Sequence, residues 1–579
     1  MTPRRIERRA PAADAALPDS VPPLLRRIYA ARGVLTAADL DTALGALLNF
    51  RSLHAMPEAV TLLAECLRFD THMLIVGDFD ADGATSSALG VRGLRALGAK
   101  HVDYLVPNRF EYGYGLTPEI VAIAAQRQPQ LIITVDNGIS SHAGIAAAHA
   151  AGIRVLVTDH HLPGASLPEA DVILNPNLPG DAFPSKNLAG VGVMFYLLLA
   201  LRAHLRESGW FGERGIVEPN LAEFLDIVAL GTVADLVPLD HNNRVLVAQG
   251  LARIRAGRCV PGIQALLQAG KRELRKLTAS DLAFAAAPRL NAAGRLTDMS
   301  LGIECLLTDD ESRARELATR LDALNHERRA IEAQMREEAL HMLEQMSLSA
   351  DDARLPFGLC LFNAEWHQGV IGLVASRIKD RVHRPVIAFA RAEGGQLKGS
   401  ARSVQGVHIR DVLEAVNTRR PGLITKFGGH AMAAGLSLAE VQFPQFAAAF
   451  DEEVRRWVKA GDFDGTLYTD GELEPEYLTL QCAELLRSAG PWGQAFPEPC
   501  FDGVFSVLER RIVGNGHVKL TLAVPHRNAR VDAIAFDPVA GQLPLDCRKV
   551  RMVYRPEVND YRGEQRLQLL VEYIEPVVP

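Results

Sequence analysis

Five short apolar runs between residues 70 and 180, HMLIVGDF, HVDYLVPN, QLIITVDNG, IRVLVTDHH and DVILNP, read as strands, with Ala-rich helical stretches between several of them. Strand and helix in repetition imply a parallel α/β sheet. In such sheets ligands bind at the carboxyl ends of the strands. The acidic residues of this segment fall at those ends.

The densest cluster is IVGDFDADGATSS, residues 75–87, where Asp78, Asp80 and Asp82 occupy alternate positions after an apolar strand. Carboxylates so close together repel one another and resist desolvation, so a cation is expected to compensate them. Three further stretches place polar residues at or just beyond an apolar run: ITVDNGIS with Asp136, VTDHH with Asp159, His160 and His161, and LGTVADLVPL with Asp235. Taken singly, an Asp after a strand is usually a turn or N-cap residue. Taken together, Asp80, Asp82, Asp136, His160 and Asp235 form an oxygen-rich set with one imidazole, which favours Mg²⁺ or Mn²⁺ over Zn²⁺. Five such side chains suit two ions about 4 Å apart, the arrangement used for phosphoester hydrolysis.

A chain of 579 residues is too long for one core, and three or four domains are expected. Residues 201–310 read as mostly helical. The stretch DDESRARELATRLDALNHERRAIEAQMREEALHMLEQM contains no Gly or Pro and reads as one long charged helix, a strut between two domains. A second α/β segment follows from about 355 to 455, and the tail returns to short alternating strands that fit a small OB-type β-barrel. The predicted boundaries are an N-terminal extension over 1–50, the parallel-sheet domain over 51–310, the connecting helix over 311–350, a smaller α/β domain over 351–460 and the barrel over 461–579. The first twenty residues lack an apolar segment after their basic residues and read as a frayed cytoplasmic start rather than a targeting peptide. The apolar run VMFYLLLALRAHL is broken by Arg and His long before membrane-spanning length. Seven widely spaced cysteines suggest neither a zinc site nor a disulfide framework. The net charge of −7 does not advertise a nucleic-acid binder, but binding needs only a local basic groove.

Candidates for such a groove are Arg109, Arg289, Arg295, Ser400, Arg402 and Ser403, which the sequence places in Gly- or Asn-containing loops able to bind phosphate. Phe110, Tyr112 and Tyr114 alternate beside Arg109, either as base-stacking platforms or as ordinary packing residues. GGHAMAAG sets Gly428 and Gly429 before His430 at what reads as a helix start. In the tail, Arg510, Arg511, Lys519, Arg527 and Arg530 form one possible basic stripe among nearly as many acidic residues.

DFDADG, VDNG, TDHH and GTVADLVPL, in this order, resemble the motifs of the DHH phosphoesterase superfamily, and GGHAMAAG resembles the glycine-rich motif of its DHHA1 domain. LVPNRFEYGYGLTPE, APRLNAAGRL, EWHQGVIGLVASR and KGSARS resemble stretches of the superfamily's single-strand-specific 5′ to 3′ DNA exonucleases, over roughly residues 50–579. The resemblance implies an α/β fold with a parallel-sheet DHH domain, a linking helix, a smaller DHHA1 domain and an OB-like barrel. It implies two Mn²⁺ or Mg²⁺ ions, with Asp80 on one, Asp82 on the other, Asp136 bridging, and His160 and Asp235 completing the shell. Asp78, Asp159, His161 and His430 would complete the catalytic set, Asp159 behind the imidazole and His161 as a candidate proton donor. Arg109, Phe110, Tyr114, Arg289, Asn291 and Arg295 would line the DNA groove, and Ser400, Arg402 and Ser403, with Gly428 and Gly429, would hold the terminal phosphate. The implied setting is a cytoplasmic monomer acting in recombination and repair on single-stranded DNA, with single-strand-binding protein and a helicase as partners and no membrane. The alternatives are an oligoribonucleotide or cyclic-dinucleotide phosphodiesterase, a manganese pyrophosphatase, or a DNA-binding relative without metal. Every expected ligand is present, which argues against the last. Polarity is not readable from the residues.

Overall fold

Strand β1 (Met73–Gly77) is buried along its whole length and is flanked on both sides, by β2 (Val102–Leu105) and β3 (Leu131–Val135). Adding β4 (Arg154–Thr158) and β5 (Val172–Leu174) gives a five-stranded sheet in the order β2-β1-β3-β4-β5, parallel throughout. Continuous apolar runs such as MLIVG and LIITV are what strands covered on both faces require. Helix Ala81–Ala96 is rich in Ala, Gly and Ser and is buried nearly all round, because helices Gly190–Glu207 and Leu225–Ala234 pack against it.

The computed structural model describes residues 4–108, 115–349, 355–458, 465–514, 517–536, 547–561 and 563–577. Arg109, Phe110, Tyr112 and Tyr114 therefore lie outside the described residues. The chain divides into two compact units, Arg8–Asn325 with Thr469–Pro579, and Met1–Glu7 with His326–Tyr468. The long helix forms as Glu311–Ser349. No described helix is long and apolar enough to cross a membrane.

In the smaller unit, β6 (Leu359–Phe362), β7 (Val386–Arg391), β8 (Gln396–Arg402), β9 (Lys426–Gly429) and β10 (Ala433–Ala439) form a sheet in the order β9-β10-β8-β7-β6, in which only β6 and β7 are parallel. GGHAMAAG is accordingly not a helix start. It is the turn of the β9–β10 hairpin, closed by a hydrogen bond from the His430 amide to the Ala433 carbonyl at 2.8 Å. Gly429 sits there at φ 144°, with no room for a side chain: a Cβ would lie 2.4 Å from the Ala433 oxygen.

In the larger unit, β11 (Phe501–Val513), β12 (His517–Ala523), β13 (Arg530–Ala535), β14 (Lys549–Tyr561) and β15 (Glu564–Pro576) close into a barrel in the order β11-β12-β13-β15-β14. Its interior residues, including Phe501, Leu520 and Met552, belong to the same apolar core as the sheet-covering helices.

Among the described residues the frayed start expected over residues 1–20 is not observed, since Ile6–Arg8 already form a strand. Helix Pro23–Ala30 is anchored by buried Leu24, Leu25 and Ile28, and Arg32 forms a bidentate pair with Asp470 at 2.7 and 2.9 Å, both side chains 1% exposed. Tyr29, Trp492 and Phe496 stack beside that pair, and Arg8 holds Asp502. These partners lie more than 400 residues away in the chain, which is why local composition did not reveal them.

Candidate metal centre

The carboxyl ends of β1, β3 and β4 deliver Asp78, Asp136 and Asp159, each directly or almost directly after its strand. Asp80 caps helix Ala81–Ala96: its Oδ1 accepts from the amides of Asp82 and Gly83 at 2.9 and 3.0 Å. Asp82, in the first turn, is buried against the start of helix Gly190–Glu207, whose Gly190 and Val191 amides donate to its two oxygens at 2.6 and 3.0 Å. Asp136 stands at φ 61°, a left-handed conformation that an aspartate tolerates better than most residues, and its amide donates to Thr158. Asp235 comes from a helix rather than a strand: it ends helix Leu225–Ala234.

These side chains converge. Nε2 of His160 lies 3.1 Å from Oδ1 of Asp136 and 3.6 Å from Oδ2 of Asp235. Three groups, Asp78 with Asp80 and Asp136, Asp82 with His160 and Asp235, and Asp136 with His160 and His161, each bring ligand atoms within 4.8 Å of one another. Asp159 sits behind them, accepting from Nδ1 of His161 at 2.7 Å and from the amides of His160, His161 and Ile139.

The electrostatics follow from this crowding. Burial, then the Asp80 carboxylate, pushes Asp82 up to about 7. Asp136 and Asp235 are raised well above the usual range, again by burial first and by neighbouring carboxylates second. Burial also acts to raise Asp159, but its bond to His161 and the two imidazoles outweigh that and hold it below the ordinary value. Burial would depress His161; the Asp159 bond and the charges of Asp159, Asp235 and Asp78 outweigh it and raise it to about 9. A buried set of carboxylates that resist ionising together, with one imidazole facing two of them, fits divalent cations with oxygen-rich shells.

Sequence reasoning missed the supports of this centre. Nδ2 of Asn177 donates to the His160 carbonyl at 2.6 Å and Nδ2 of Asn175 to the His161 carbonyl at 2.9 Å, so Asn175-Pro176-Asn177 holds the backbone of both histidines. Gly190 leaves room for the metal cluster: a Cβ there would lie 2.6 Å from Cβ of Asp136. The only local hint was Asn-Pro-Asn after an apolar strand, which reads equally as a turn.

The expected DNA-binding residues are placed differently from their predicted loops. Arg289, Asn291 and Arg295 lie on helix Ala287–Leu296, which continues a π-helical segment, Leu282–Ala286. Arg289 is buried, donates to the carbonyls of Ala285 and Ala269 and pairs with Asp322 at 2.7 Å, while Oδ1 of Asn291 accepts from the Ala81 amide at 2.9 Å beside Asp80. In the smaller unit, Ser400 and Arg402 lie on β8 rather than in a loop, and Ser403 is buried with its hydroxyl on the Val407 carbonyl. Nη1 of Arg402 donates to Oγ of Ser400 at 3.1 Å and to the Ala401 carbonyl, and burial alone lowers its pKa. Its partners among the described residues are neutral. The guanidinium lies against the start of helix Ile371–Val382, where a Cβ on Gly372 would come within 2.9 Å of Nη2.

Comparison with known proteins gives three family matches: the DHH family N-terminal domain over residues 72–232, the DHHA1 domain over 356–459 and the RecJ OB domain over 469–573. The chain is 57% identical to the single-stranded-DNA-specific exonuclease RecJ of Dickeya dadantii, covering 98% of this chain and 99% of that protein. It is 54% identical to the Escherichia coli protein of the same name, covering 99% of each. Among solved structures, RecJ from Thermus thermophilus in complex with Mn²⁺ matches 97% of this chain and 77% of its own at 32% identity, with a TM-score of 0.78. The same protein with Mg²⁺ matches at 30% identity and a TM-score of 0.73, over 97% of this chain and 76% of its own.

Proposed function

The chain belongs to the RecJ family of single-stranded-DNA-specific exonucleases, and from that premise we propose how its residues divide the work and that it degrades strands from the 5′ end. The enzyme is a hydrolase of phosphodiester bonds that takes Mn²⁺ or Mg²⁺. The observation that carries the assignment is the convergence of Asp82, Asp136 and Asp235 on one imidazole, His160, and of Asp78 and Asp80 on Asp136, with the carboxyls of Asp82, Asp136 and Asp235 raised by burial and mutual repulsion. Two bound ions would lower the pKa of a water and neutralise charge on the phosphoryl oxygens.

Asp80 would hold one ion and Asp82 the other, Asp136 would bridge, and His160 and Asp235 would complete the shell. Oδ1 of Asp80 is engaged by backbone amides, which orients the carboxylate. Asp159 fixes His161 through Nδ1, so Nε2 of His161 is the atom that would hold the proton destined for the leaving oxygen. Asp78 would orient the attacked phosphate. In the smaller unit, Arg402 with Ser400 would receive the terminal phosphate, supported by a guanidinium whose hydrogen-bond partners among the described residues are neutral, and Ser403, Gly428, Gly429 and His430 would shape that pocket. Family membership supports a cytoplasmic monomer working on strands that a helicase opens and single-strand-binding protein covers.

Digestion of single strands labelled at either end, in Mn²⁺, tests the reading. Immediate release of the 5′ label as a mononucleotide, with the 3′ label retained in a shortening strand, is expected. Prior loss of the 3′ label overturns the polarity.

A further inference from the structure

Two exposed aliphatic residues directly follow residues of the metal centre in the chain. Leu162 follows His161 and Leu236 follows Asp235, and each is 63% exposed. An exposed leucine is ordinary on any protein surface. Leu236 is not ordinary, because its backbone lies at φ 59°, a conformation that crowds the Cβ of an L-residue and that helix ends normally give to glycine. Among the described residues the other non-glycine positions at positive φ are Asp70, Gln128, Asp136, Lys271, His383, Ala495 and His526, so Leu236 is the single large aliphatic one, and it shares this property with the proposed bridging aspartate.

The corner is held from both sides. Helix Leu225–Ala234 is buried before it, with the Asp235 amide on the Gly231 carbonyl, and Leu239 is buried after it with its amide on the Gln494 carbonyl at 2.8 Å. Strain held in place by its surroundings at an active site points to a use for the strained side chain. Leu162 is likewise fixed at its root, since the preceding His161 carbonyl accepts from Asn175.

We propose that Leu236, with Leu162, forms the apolar support for the nucleobases of the strand that flank the scissile phosphate. The inference rests on the single-strand exonuclease reading above. An unpaired base exposes an apolar face that a duplex hides by stacking, so a leucine rim beside the metals favours single strands over paired ones. Asp235 directly precedes Leu236, and His160 and His161 directly precede Leu162, which ties each base contact to the metal centre.

The variant Leu236→Gly removes the side chain and relieves the left-handed backbone, so its melting temperature should equal or exceed that of the wild type. Partial burial of one leucine corresponds to about five- to tenfold in binding. With Mn²⁺, KM for a natural single strand should rise by about that factor in Leu236→Gly, and somewhat less in Leu162→Ala. On a strand whose first nucleotides are abasic, Leu236→Gly and the wild type should have the same KM. Leu236→Asn, which also accepts the left-handed region, should behave as the glycine variant does. An unchanged KM on the natural strand, or an equal rise on natural and abasic strands, overturns the proposal. Failure of the wild type to cleave the natural strand overturns the exonuclease reading instead.

Discussion

Replacing Asp82 by Asn changes folding stability in opposite directions at the two ends of an ordinary pH range, provided that metal is removed. Folding raises the Asp82 carboxyl from its ordinary value of 3.8 to about 7, chiefly by burial and then by Asp80. A group whose pKa is raised by folding binds its proton more tightly in the native state. Its stabilising contribution is therefore complete below pH 4 and is lost as pH rises through about 7. A rise of about three pKa units at 1.36 kcal/mol each makes this loss on the order of 4 kcal/mol. The neutral amide escapes it, but cannot accept from both the Gly190 and Val191 amides, and one unsatisfied buried donor costs about 1–3 kcal/mol. The loss grows by about 1.4 kcal/mol per pH unit between the two pKa values, so Asp82→Asn should be less stable than wild type near pH 4, by up to about 2 kcal/mol, and more stable at pH 8, by about 1–3 kcal/mol. Urea denaturation in EDTA at unit steps of pH measures the difference directly. Mn²⁺ should stabilise the wild type increasingly with pH and the variant little, because the ion competes with the proton for the same oxygens. A difference between the two proteins that stays constant from pH 5 to pH 8 would refute the account of a cluster held short of full ionisation by its own charge.

Other expectations are simpler. Asp136→Ala should abolish hydrolysis in Mn²⁺ while the metal-free fold melts no lower, since the change relieves carboxylate repulsion; near-normal cleavage by the folded variant would sink the bridging role. Arg402→Ala should weaken binding of 5′-phosphorylated strands more than of hydroxyl-ended ones while Mn²⁺ affinity, read by calorimetry, is kept. Arg32→Ala leaves Asp470 buried without its bidentate partner and should lower unfolding free energy by about 3–5 kcal/mol in urea melts; a loss under 1 kcal/mol would show that the N-terminal segment is not anchored there. Neutralising Arg510, Arg511 and Lys519 together should flatten the slope of log affinity against log salt if they meet phosphates, although Arg511 faces Glu509 at 3.2 Å and Lys519 faces Asp532 at 2.8 Å.

The sequence by itself determined the parallel sheet, the long helix and the barrel, and it singled out carboxylates and histidines that the fold brings together. Each of these is written in local patterns: apolar runs of strand length, helical spacing without breakers, and carboxylates directly after strands. Asp78, Asp136 and Asp159 were legible because a parallel sheet aligns its carboxyl ends, so strand neighbours far apart in sequence must meet. Tertiary structure alone decided the rest. Asp235 joins the cluster from the end of a helix, Asn175 and Asn177 hold the histidine carbonyls, and Gly190 clears space beside Asp136. The hairpin at Gly429, the pairing of Arg289 with Asp322 and the anchoring of Arg32 on Asp470 were equally hidden. In each case the deciding partner is remote or the deciding quantity is a distance, and propensity carries neither. A buried charge is stable only where its partner arrives, and which partner arrives is settled by packing.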